Sequence, residues 1–303
     1  MSHARIAKVM TSIDVDESAL VAALATSDSP EAVEQIDKDL HRAGRKELGV
    51  ADEDATAHRT ALRRLLFAWC ILSEPHGWHY CQAMSLIGAG LLVSTAHNVE
   101  EAFVLFVRLM NSLPARFFDE RLEGARVEVR ALRILATQSA APLMTQLPTE
   151  PLDMVASQWF QTLFAGFLPL PCCLALWKRM ATGVSIRPAA VDAVGGDGGA
   201  PPTTLALGAA LALLNLVRAE LEEAAAEDAA EPDDGGGCAS YAVLQGAPAL
   251  APSADAFIDT ALAASPSAAA AEAARCAARA TLEAEEAADR ERKACERARR
   301  ASR

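Results

Sequence analysis

Two stretches carry side chains suited to phosphoryl chemistry: "QIDKDLHRAG" at residues 35–44 and "HYCQAM" at 79–84. In the first, Ile36, Asp39 and Arg42 are spaced i, i+3 and i+6, so a helix makes Asp39 and Arg42 neighbours. The carboxylate can hold the guanidinium and limit where it points, and alone this is an ordinary surface ion pair. In the second, Gln82 stands at the mouth of the apolar run from Met84 to Val93. A carboxamide there must find hydrogen-bond partners or face something outside the fold. An arginine can neutralise charge on a transferring phosphoryl group, and a carboxamide can orient the attacking water. An arginine supplied in trans accelerates such reactions by about 10³ to 10⁵.

Other groups suggest less. His76, His79 and Cys81, with Cys70 as a fourth candidate, match none of the usual paired zinc-ligand spacings. Cys172 and Cys173 read as small buried residues. Trp159, Phe160, Phe164 and Trp177 read as core aromatics, and Arg63 and Arg64 lie on a helix face from which they could reach an acidic partner. No G-x-x-x-x-G-K-[ST] loop is present, so the chain is not expected to bind nucleotide alone.

The elements that must position these residues are expected to be helices. Of the 303 residues 51% are hydrophobic, much of that Ala and Leu, and no segment alternates with period two. A helix is expected over "PEAVEQIDKDLHRAG", with Ser29-Pro30 as its start and Ala43-Gly44 as its stop. A solvated stretch follows to His58. Leu62, Leu65, Leu66 and Trp69 then form a core-facing stripe, repeated by Phe103, Phe106, Val107 and Met110. Further helices are expected around 125–138, 151–167, 171–181 and 203–226. Gly/Pro-rich segments near 188–204 and 226–240 read as flexible insertions in one helical array. The Ala/Glu/Arg-rich segment 263–303 reads as a charged, solvated last helix with i, i+4 pairs such as Glu286–Arg290.

The net charge of −12 argues against a general nucleic-acid binder. Seven unpatterned cysteines and a beginning without an apolar core of signal type suggest reduced thiols in a cytoplasmic setting. The uncharged run 159–177 is long enough to span a bilayer, but Pro169 and Pro171 favour buried helices, and 205–217 is too short. No transmembrane segment is therefore expected.

The ordered motifs resemble a family. "IDKDLHR" looks like the I-x-x-D-x-x-R motif of TBC domains, the Rab GTPase-activating proteins, and "YCQAM" looks like their Y-x-Q motif. "LRRLLFAWCILSEPHGWHYCQAMSLIGAGLLV", "EEAFVLFVRLMNSLPARFF", "WFQTLFAGFLPLPCCLALWKRM" and "LGAALALLNLVRAELEEA" are similar to successive family segments, so the resemblance covers roughly 31–262. His79 and Ala83 stand where the family usually has glycine, Lys178 stands where it commonly has aspartate, and residues 1–30, read as a divergent or partly ordered segment, lack the family's opening signature.

The resemblance implies an all-α domain of two lobes with a groove between them. It implies Arg42 as an arginine finger and Gln82 as a glutamine finger, with Asp39, Tyr80 and Ile36 in support. The implied activity accelerates GTP hydrolysis by a Rab-family small GTPase in its GTP form, without intrinsic hydrolysis. GTP and Mg²⁺ would arrive with that partner, the chain having no cofactor of its own. The setting implied is vesicle trafficking in the cytoplasm, with peripheral association at endomembranes through the partner. The alternative is a TBC-like scaffold that binds a GTPase or membrane-traffic partner without catalysis.

Overall fold

The structure, a computed structural model, describes residues 30–42, 50–52, 54–73, 80–114, 116–181, 203–230 and 238–301. Every regular element among them is helical, as the composition predicts. The expectations for residues 1–29, for the Ala43-Gly44 stop, for His76 and His79, and for most of the insertion near 188–204 lie outside the described residues.

Helix α1 (Pro30–Asp39) begins on a proline, which at a helix start gives up an N–H that has no partner anyway. It does not run on to Ala43; the chain tightens after Asp39 into a 3₁₀ turn, Leu40–Arg42. Helix α2 (Ala55–Ser73) starts before the expected Thr60, and its Leu62, Leu65, Leu66 and Trp69 stripe is buried. Arg63 on its outer side bonds Asp37 of α1 at 2.7 Å and lies over the Phe67 ring at 4.5 Å. Its guanidinium is thus held within the chain.

Helix α3 (Ala83–Ser94) is apolar on all sides and sits inside the bundle, against α2 and α4 (Val99–Asn111). Gly88 permits the α2 approach, since a Cβ there would lie 2.9 Å from Leu62 Cδ1. The aromatic stripe of α4 is buried, with Phe106 edge-on to Trp69 at 5.5 Å.

Helices α5 (Glu123–Ser139), α6 (Ala141–Gln146) and α7 (Thr149–Gln161) form a second packed group. Helix α7 stops at Gln161, not near 167. Leu163 and Phe164 adopt left-handed backbone angles (φ 48° and 67°), uncommon for such residues. Both side chains are buried, Phe164 N–H donates to Trp159 O at 2.7 Å, and Trp177 Nε1–H donates to Leu163 O at 2.8 Å. Burial and these bonds hold what local propensity would not. The apolar run 159–177 is therefore split between α7 and α8 (Leu170–Ala181) by this turn.

The expected helix over 203–226 is two helices, α9 (Thr203–Leu216) and α10 (Arg218–Ala230), bent by 71°. Among the described residues no single helix is long and apolar enough to cross a membrane; this bent pair alone meets length and composition together. Helix α9 is buried along nearly its whole length and packs on α5, α7, α8 and α12 (Ala254–Ala264). A Cβ on Gly208 would collide with Ala261 O and Ser265, so the α9–α12 contact runs backbone to backbone.

Residues 226–230, expected in a flexible insertion, belong to α10. Asp228 there accepts from Ala239 N at 2.7 Å and Ser240 N at 3.1 Å, capping α11 (Ala239–Gly246). Burial works to raise its carboxyl, and the bonds from Ser240, Cys238 and Ala239 overcome it, leaving the group below its ordinary value.

The last helix, α13 (Ala268–Ala301), is solvated on its outer side and packs its inner side on α5, unlike the exposed helix expected. Ala278 and Leu282 pack there with Val127 of α5, while Ala271 and Ala274 are buried in the main core. Arg275, 2% exposed, grips Glu128 of α5 through Nε (2.7 Å) and Nη2 (3.2 Å), and Nη2 also reaches Thr203 Oγ1 of α9 at 2.9 Å.

Candidate functional site

Ile36 is fully buried and anchors α1 to the core, while Leu40 packs half-buried against the same core. These two contacts fix the 3₁₀ turn that carries Asp39 just before it and Arg42 at its end. Asp39 is also fully buried, unusual for a carboxylate. Its Oδ2 accepts from Tyr80 Oη at 3.0 Å and from Gln35 Nε2 at 3.2 Å. Its Oδ1 is buried without a hydrogen-bond partner among the described residues.

The Tyr80–Asp39 bond joins positions 41 residues apart, and so ties the 3₁₀ turn to the segment entering α3. Burial raises the Tyr80 phenol well above its ordinary range, and the neighbouring Asp39 charge and hydrogen bond push it further. Tyr80 therefore stays protonated and donates. Burial likewise raises the Cys81 thiol, with Asp39 adding to it, against a backbone bond at Ala83. Cys81 is accordingly no thiolate nucleophile at neutral pH.

Gln82 initiates α3. Its carbonyl accepts from Ser85 N at 3.1 Å and Ser85 Oγ at 2.7 Å, which commits the main chain to the helix. The carboxamide makes no capping bond, is exposed, and has no hydrogen-bond partner among the described residues. Of the two choices open to it, a partner or the outside, it takes the outside. It stands at the N-terminal, electropositive end of the α3 dipole, which favours anions. Ala83, the next residue, is buried, so its methyl turns inward.

The structure thus brings Ile36, Asp39 and Tyr80 together and sets Gln82 two residues beyond that junction. Arg42 closes the turn next to them; its side chain lies outside the described atoms. Two groups were missed from the sequence. Gln35 was legible in principle, four residues before Asp39 on one helix. Arg59, whose Nη1 lies 3.4 Å from His41 Nδ1 and links α2 to the turn, gave no local signal. Among the described residues no group of His, Cys, Asp and Glu could hold a metal ion.

Comparison with known proteins agrees with the family that the motifs resemble. TBC1 domain family member 30 of Homo sapiens is 29% identical over 162 residues, covering 48% of this chain and 17% of that protein. The Mus musculus protein of the same name is 29% identical over 162 residues, covering 48% and 21%. A TBC domain-containing protein of Schizosaccharomyces pombe is 28% identical over 142 residues, covering 46% and 18%. The matched region thus spans about a fifth of each of these relatives. The family model described as the Rab-GTPase-TBC domain matches residues 10–190, beginning within the segment expected to be divergent. Since that match covers more than half of its length, the chain belongs to the Rab-GTPase-TBC domain family.

Proposed function

We propose that the chain accelerates GTP hydrolysis by a Rab-family small GTPase, with Arg42 and Gln82 supplied in trans. The observation that carries this reading is the Tyr80–Asp39 bond beside an uncommitted Gln82 carboxamide. A buried carboxylate bridges the turn ending in Arg42 and the strip of chain delivering Gln82, so the two groups are coupled in position. Arg42 would neutralise charge developing on the transferring phosphoryl oxygens. Gln82 would accept from and donate to the attacking water. Catalysis of this kind is almost entirely positioning and electrostatics, which rigid anchors such as Ile36, Asp39 and Tyr80 supply.

GTP and Mg²⁺ would come with the GTPase. The activity would be exercised in the cytoplasm, at endomembranes to which the GTPase is attached. The inward-turned Ala83 methyl favours catalysis over a purely scaffolding role, because it adds no bulk on the side open to a phosphate.

Single-turnover GTP hydrolysis by a panel of Rab proteins tests the proposal. Wild type should accelerate at least one member, and Arg42→Ala and Gln82→Ala should each reduce the acceleration by about 10²-fold or more. Acceleration that survives both substitutions unchanged would remove the two-finger mechanism. Binding without acceleration by wild type would leave the scaffold.

A further inference from the structure

The charge of this chain is distributed unevenly. Residues 290–303 hold seven of its 28 Lys and Arg against two of its 40 Asp and Glu. The last part of α13, from Arg290 to Arg300, is exposed at every position whose side chain is described, extending past the α5 contact by about 16 Å at the ordinary helix rise. The helix dipole favours cations in the last turn, such as Arg299 and Arg300. It does not account for Arg290, Arg292 and Lys293, two turns earlier.

At the base of this overhang an open cleft of about 790 Å³ lies between the approach to α5 and the outer half of α13. Five cations line it: Arg121, Arg126, Arg290, Arg292 and Lys293. Two carboxylates serve all five. Glu286 meets Arg126 at 3.0 Å, Arg121 at 3.6 Å and Arg290 at 4.0 Å, while Asp289 meets Lys293 at 2.6 Å and also Arg292. The third carboxylate of the cleft, Glu285, is held by Arg130 at 2.9 Å. Hydrogen bonds from Arg126 and from Lys293, respectively, lead in holding Glu286 and Asp289 below their ordinary range, so both carry full charge and the cations still outnumber them. In a chain of net charge −12 such an excess is a local reversal of sign, and it lies on side chains that are mostly more than half exposed.

We propose that the α5–α13 cleft and the basic overhang of α13 form a docking surface for an anionic phospholipid membrane, independent of the GTPase-activating reading. The surface suits headgroup phosphates: several cations within one cleft, an extended row beyond it, and no apolar face to insert. Clusters of four to eight Lys and Arg bind anionic leaflets in this way, each cation contributing about fivefold in partitioning.

The test is co-sedimentation of the full chain with phosphatidylcholine vesicles, with and without phosphatidylserine, at low and high salt. Binding should require phosphatidylserine and weaken with salt. Arg292→Ala/Lys293→Ala should lower it on the order of tenfold, less than two free cations would give because Asp289 is released. Arg297→Ala/Arg300→Ala should lower it comparably, and Arg179→Ala/Arg218→Ala, with the same charge change elsewhere, should leave it unchanged. Circular dichroism of each variant confirms that α13 remains helical. Equal binding to neutral vesicles, no binding, or loss with the charge-matched control as great as with the cleft variants overturns the proposal. So does binding of soluble polyglutamate or free phosphoserine as tight as that of the phosphatidylserine vesicles at equal charge, which would assign the cleft to an acidic protein or a small phosphate.

Discussion

Replacing Arg275 by Met isolates the strongest electrostatic constraint on α13. Arg275 and Glu128 are 2% and 1% exposed, and the guanidinium supplies both close bonds to that carboxylate. Burial raises the Glu128 carboxyl above its ordinary value of 4.5, and Arg275 pulls it back. In Arg275→Met the second influence is gone. The carboxylate, left with the lesser influences of Thr203 and Arg279, must then remain buried without its main partner or take a proton. Protonating a group of ordinary value 4.5 at pH 7 costs about 3.4 kcal/mol, and this caps the penalty. Breaking a buried pair by removing one partner costs about 3–5 kcal/mol in general, and with that cap a loss of about 3 kcal/mol at pH 7 is expected.

The sign of the pH dependence follows from the same step. A carboxyl raised in the folded state binds its proton more tightly there, so its contribution is present below pH 4.5 and lost as pH rises through the folded value. Relative to wild type, the variant should therefore recover with acid, by up to about 1.4 kcal/mol per pH unit between pH 7 and pH 5. Urea unfolding at pH 7, 6 and 5 measures this. Arg275→Met/Glu128→Leu should return to within about 1–2 kcal/mol of wild type, because an apolar pair can replace a buried ion pair. That recovery is helped by Arg275 Nη1, which among the described residues has only Glu272 Oε2 at 4.0 Å and leaves the native network incomplete. A cost below about 1 kcal/mol, or one that is flat with pH, would show that Glu128 is not enclosed and would refute the reasoning.

Two further outcomes are expected from the fold and the site. Tyr80→Phe removes the bond from Oη to a buried carboxylate, and should cost about 1.5–3 kcal/mol in urea unfolding. In the proposed reaction it should also slow the stimulated single-turnover rate under conditions where both proteins are fully folded; an unchanged rate would separate Asp39 from the catalytic device. Gly208→Ala sets a methyl against Ala261 O and Ser265 and should destabilise by about 1–3 kcal/mol or more, whereas a neutral result would mean that α12 can move away freely.

The parts of this fold that were legible in the sequence are those in which apolar period and burial coincide, such as Leu62, Leu65, Leu66 and Trp69 on α2. The parts that were not legible share a different cause. Helix α7 ends at Leu163 and Phe164, residues with no left-handed preference, held there by a tryptophan from α8. Helices α9 and α10 part at Val217, which no glycine or proline marks. The inner face of α13 is a stripe of alanines interrupted by an arginine, so its period looks like that of a solvated helix until Glu128 and Thr203 are placed opposite it. In each case the decisive partner is distant in sequence. The site divides along the same line: the spacing of Asp39, Arg42, Tyr80 and Gln82 names the groups, because the order of motifs is local. That Asp39 is fully buried, shared by Tyr80 and Gln35, and joins one motif to the other depends on how α1 meets the entry to α3. Side-chain type is therefore readable from sequence where the chemistry resides in single residues. The coupling between those residues is a property of the packing, and the Tyr80–Asp39 bond is the place where it can be broken without touching Arg42 or Gln82, the two proposed fingers.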